Sequence, residues 1–79
     1  MAHFGVKTLK VSTDDGARRE AFLEGFFTDG QPMWSRFGTN AAARFSTYEK
    51  AAAAMTRAGL DGDHNATVIR FENGSYFNA

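Results

Sequence analysis

The segment from Ser46 to Leu60, Ser-Thr-Tyr-Glu-Lys-Ala-Ala-Ala-Ala-Met-Thr-Arg-Ala-Gly-Leu, admits one local structure. Ser46 followed by Glu49 makes a capping box, whose hydroxyl and carboxylate each accept from an amide that the first helical turn leaves without a carbonyl. Gly59 suits the left-handed residue that closes a helix, and it puts Leu60 over Met55 in the hydrophobic contact of a Schellman stop. Between these ends Tyr48, Ala51, Ala52, Met55 and Ala58 recur at three- and four-residue spacing. The stripe is narrow and mostly alanine, so the helix lies close to whatever it covers.

What it covers reads as an antiparallel sheet. Phe4 to Thr13 is rich in Val, Thr and Leu and ends in Asp14-Asp15-Gly16, a strand and its turn. Arg18 to Phe27 is a second strand, Asp29-Gly30 a second turn, and Pro32 to Phe37 a third strand that opens on a residue with no ladder donor. Residues 41–45 admit two readings, a loop with a short strand ending at Phe45 or a helical turn capped by Asn40. After the helix, Ala66 to Glu72 alternates as a fourth strand. Asn73-Gly74 is the strongest two-residue hairpin signal there is, which makes Ser75 to Phe77 a fifth. The order β-β-β-α-β-β predicts an α+β fold, a single domain over residues 1–79 with an antiparallel meander of four to five strands and one helix on one face.

Register turns this order into a map of two faces. With Asp15-Gly16 and Asp29-Gly30 as two-residue turns, period-two alternation collects Phe4, Val6, Ala21, Leu23, Phe27 and Trp34 on one face, the one assigned to the helix. In this register Gly25 lies opposite Trp34. The other face collects Leu9, Val11, Phe22, Phe26, Met33 and Phe37, with Lys7 opposite Glu24. Both faces are apolar, and one short helix hides only one. The second face is therefore either an interface or a surface roofed by the C-terminal hairpin or by the loop at residues 38–45.

Composition limits the functions such a sheet can serve. The chain has 79 residues, so its single core is modest; chains of this size bury only about 60–65% of the surface they expose unfolded. Nine basic and nine acidic residues cancel, leaving no overall field for nucleic acid or an anionic membrane. Cysteine is absent, which removes disulfides and thiolate metal sites. There is no signal-peptide pattern at Met1 to Gly5 and no window of about 20 apolar residues, so the expected location is the cytoplasm, with a reducing bacterial or viral interior the simplest home.

Motifs with chemistry are few. Asp61, Asp63, Asn65, Thr67, Val68 and Glu72 match several places of a calcium-loop template, but Ala66 stands where the turn needs glycine and the run beyond it is a strand. The expected number of metals and cofactors is none. Phe22, Phe26 and Phe37 beside Lys7, Arg36 and Arg44 suggest a stacking platform for RNA or single-stranded DNA, with Glu20 and Glu24 opposing it. His3 and His64 have no nucleophile at readable spacing. A non-enzymatic protein is the expectation.

Trp34-x-Arg36, then Ala43-Arg44-Phe45-Ser46-Thr47 running into Glu49 and Ala52, resembles a motif of small phage and prophage proteins. There a Trp strand leads through Ala-x-Phe and Ser/Thr into a capped helix. In size and lack of cysteine the chain also resembles anti-CRISPR proteins. That resemblance implies stoichiometric contact that blocks a bacterial protein complex, and it carries over no functional residue. The expected protein interface is Phe22, Phe26, Met33 and Phe37, ringed by Lys7, Glu24 and Arg36. Its partner is such a complex or a second copy in a two-fold dimer. Nucleic-acid binding through the same face, or a structural phage role, is the alternative.

Overall fold

A computed structural model of the chain describes residues 3–11, 15–35, 41–60 and 65–79. Its elements are β1 (His3–Val11), β2 (Arg18–Phe26), β3 (Pro32–Ser35), α1 (Tyr48–Arg57), β4 (Thr67–Glu72) and β5 (Ser75–Asn78). The strands form one antiparallel sheet in the order β3-β2-β1-β4-β5, with α1 packed over β1 and β4. The α+β class is as expected, but the meander is not continuous. After three consecutive hairpin-linked strands, α1 carries the chain from one edge of the sheet across to the far side of β1.

The helix ends follow local chemistry. Thr47 is the N-cap, its hydroxyl accepting from the Lys50 amide at 3.1 Å, so the cap falls one residue after Ser46 and Glu49 is not its reciprocal partner. At the other end Gly59 has φ 77, its amide donates to the Thr56 carbonyl at 3.0 Å, and the Leu60 amide donates to the Met55 carbonyl at 3.2 Å. That is the Schellman pair of bonds, and it folds Leu60 back into the core beside Met55. Asn73 and Gly74, both at positive φ, make the tight β4–β5 turn.

Register departs from the two-residue turns at three places. β1 and β2 pair as Lys7↔Phe22 through Val11↔Arg18, two residues away from the register that would set Lys7 opposite Glu24. An even slide keeps every side chain on its face, so the sorting of β1 survives. The β2–β3 turn has three residues, Thr28 to Gly30, with the Phe27 amide bonded to the Gln31 carbonyl at 2.8 Å and Gly30 at φ 91. This turn shifts β3 by one residue along β2 and leaves the faces of β2's own side chains unchanged. A bulge between Leu23 and Gly25 adds the extra residue that carries Phe26 to the helix face and leaves Phe27 55% exposed. The two shifts together set Trp34 opposite Leu23, not Gly25, and keep it on the helix face.

Two cores result. Under α1, Val6, Leu23 and Val68 meet Ala51 and Ala54, with Leu60 closing the end and Phe4, Trp34 and Phe45 packed around them. On the second face Phe22, Ile69 and Phe71 pack with Ala42, and the Tyr76 ring meets Phe22 edge-on at 5.1 Å between centroids. Residues 41–45 supply the cover. Their backbone is the loop with a single bridge, not a helical turn: Ala43 donates to the Leu23 carbonyl at 2.7 Å, and Phe45 exchanges two hydrogen bonds with Phe4. Gly5 makes the approach possible, since a Cβ there would stand 2.6 Å from the Phe71 ring and 3.3 Å from the Ala43 carbonyl oxygen.

Candidate functional site

The second face is a closed core. Phe22 is only 3% exposed and Ile69 has no exposed surface, so Phe22 belongs to the fold's own packing and has no area to offer a partner. Arg44 stacks its guanidinium over the Phe71 ring at 4.2 Å, adding to the cover. Lys7, expected opposite Glu24, lies opposite Phe22, with its ammonium 3.5 Å from Glu20 and 5.4 Å from the Tyr76 ring centre. The Tyr76 hydroxyl donates to the Glu20 carboxylate. This hydrogen bond, then burial, then the carboxylate's charge push the Tyr76 phenol up to about 12. These polar groups contact one another at the edge of the second core.

The other expected interface residues are scattered. Phe26 is on the helix face, Met33 is half-buried against Gly25, and Glu24 is half-buried at the bulge. Arg36 and Phe37 lie outside the described residues, as do Asp61 and Asp63 of the calcium-loop template and His64. Among the described residues no group of three His, Asp or Glu converges, and no helix is long and apolar enough to cross a membrane. The stacking platform for nucleic acid is divided in the same way, with Phe22 and Phe26 on opposite sides of the sheet.

What the fold does assemble is a groove of about 470 Å³ between α1 and the bulged end of β2. Gly25 and Phe26 form one wall, Ala43 and Phe45 the floor near the sheet, and Ala53 and Ala54 the helix wall. Three causes open it: the bulge brings Phe26 to this side, the 41–45 segment ends in Phe45, and the helix wall is only alanine. A larger residue at Ala53 or Ala54 would fill it.

Its charged lining is Lys50 and Arg57, which with Ala53 and Ala54 occupy positions i, i+3, i+4 and i+7 of one helical stripe. At about 1.5 Å per residue the Cα atoms of Lys50 and Arg57 stand about 10 Å apart along the helix axis. Arg57 lays its guanidinium 4.1 Å above the Phe26 ring, and Lys50 donates to the Ser46 hydroxyl at 3.1 Å. Among the described residues neither cation has a carboxylate partner. The pattern Lys-x-x-Ala-Ala-x-x-Arg was legible in the sequence as a second helical stripe. Its facing wall was not, because that wall depends on the bulge.

No protein-family model matches the chain, and no curated protein or solved structure matches it either. The functional reading rests on the geometry.

Proposed function

We propose that this chain is a small non-enzymatic binding module that receives an apolar, acidic segment of a partner protein in the groove between α1 and β2. The observation that carries the reading is the pairing of an alanine and phenylalanine lining with two cations that, among the described residues, have no carboxylate partner. Helix-in-groove recognition uses such a surface, with apolar anchors below and charges at the rim that fix orientation. A partner helix with carboxylates two turns apart matches the separation of Lys50 and Arg57. In keeping with the resemblance to phage proteins, the partner would be a bacterial complex blocked by occupancy, one module to one site. A strand of nucleic acid fits less well, since two cations on a neutral chain give little to track a phosphate backbone.

The test is a titration of isotopically labelled protein with two designed amphipathic helical peptides of the same leucine face. One carries glutamates seven residues apart, the other lysines in their place. The glutamate peptide is expected to shift the amides of Gly25, Ala43, Ala53 and Ala54, and the double variant K50E/R57E to lose the response. Equal response to both peptides, response to neither, or stronger shifts with a single-stranded oligonucleotide would overturn the reading.

A further inference from the structure

The two outer strands of the sheet differ in how they end it. β3 opens on Pro32, which has no amide hydrogen to offer a further strand. β5 reads Ser-Tyr-Phe-Asn, with no proline and no charge, although edge strands are usually blunted by one or the other. The Ala79 amide donates to the Val68 carbonyl at 2.9 Å, and the ladder pairs Phe77 with Arg70 and Ser75 with Glu72. In an antiparallel ladder alternate residues turn their amide and carbonyl to the same side. Ser75, Phe77 and Ala79 thus face β4, and Tyr76 and Asn78 point their backbone groups away from the sheet. Among the described residues these outward groups have no backbone partner.

We infer that β5 pairs with β5 of a second copy about a two-fold axis at Phe77, joining two five-stranded sheets into one of ten strands. The register follows from the geometry. With the axis at Phe77, Tyr76 lies opposite Asn78 of the second copy and Asn78 opposite its Tyr76, and these pairs exchange four hydrogen bonds. An axis at Tyr76 or Asn78 makes one pair within the strand and brings the turn or the chain beyond β5 opposite the other.

The side chains select the same axis. Phe77 is 53% exposed, and at the axis it meets its own copy in a non-hydrogen-bonded pair, where side chains approach most closely. On its inner side Phe77 walls a hollow of about 250 Å³ with Arg70, Glu72, Asn73 and Ser75, so its ring has room to turn toward the axis. Arg70 and Glu72 pair with each other at 2.9 Å, and the chain's net charge is zero, so two copies meet without like-charge repulsion. The contact is independent of the groove on the other side of α1.

A chain without cysteine gives a clean test. The Cα separation of a non-hydrogen-bonded pair suits a disulfide, so Phe77→Cys is expected to oxidise to a covalent dimer, while Phe27→Cys, equally exposed elsewhere, stays a monomer. By sedimentation velocity the native chain is expected to move from one chain mass toward two as concentration rises into the millimolar range. Asn78→Pro removes an outward amide without touching the β4–β5 ladder and is expected to abolish that shift while leaving the circular dichroism and the peptide titration unchanged. A native chain that stays at one chain mass throughout overturns the inference. So does association that survives Asn78→Pro, or equal oxidation of the two cysteine variants.

Discussion

Gly5 is the smallest residue with the largest consequence. Its missing Cβ lets Phe71 lie on the β1 backbone and lets the Ala43 carbonyl close over both. Gly5→Ala is therefore expected to cost about 1–3 kcal/mol by overpacking, read as a lower denaturation midpoint. Gly25→Ala, where the nearest atom is the Met33 methyl at 3.5 Å, is expected to be close to neutral. A strand glycine signals a close approach in any sequence, but nothing local to Gly5 says that the approaching group is Phe71, 66 residues on. Tyr76 makes a second prediction at this scale. Because its phenol is held up to about 12 against about 10 when unfolded, its contribution to stability is complete below pH 10 and is lost as pH rises through 12. Absorbance titration is expected to show one of the two tyrosines ionising late, and Glu20→Gln to bring it back toward the ordinary value.

Among the elements, the helix was the most legible. Its stop was readable because Gly59 and Leu60 act locally, through a left-handed residue and a hydrophobic contact one turn back. Its start was displaced by one residue because Ser46 and Thr47 are both competent caps, and the bridge between Phe4 and Phe45 fixes the chain's entry so that Thr47 is the one in place. Thr47→Ala is accordingly expected to cost about 1 kcal/mol, and Ser46→Ala less than about 0.5 kcal/mol, by chemical denaturation. Strand existence was equally plain, and the Asn73-Gly74 hairpin formed as expected. Register was not, because an aspartate and a glycine suit loops of two residues or three, and the bulge at Leu23 to Gly25 has no local mark except the glycine. Each of those is an odd slip. Between them they moved Phe26 and Phe27 across the sheet and left Trp34 where it was.

For the molecule as a whole, the strands present apolar side chains on both faces of the sheet, and the chain itself covers both. A short helix hides one face, but residues 41–44 and the β4–β5 hairpin hide the other, which divides the phenylalanines between two cores. Among the described residues the seam between the helix and the bulged strand stays open as a groove lined by Phe26, Phe45 and alanines. The most direct measurement compares Phe22→Ala with Phe26→Ala by urea denaturation and by titration with the glutamate peptide. Phe22→Ala is expected to cost about 3–5 kcal/mol as a core truncation, and Phe26→Ala less than half of that while losing the peptide response. A Phe22→Ala variant that keeps its stability within about 1 kcal/mol would contradict the account, for it would mean that the second face is open after all.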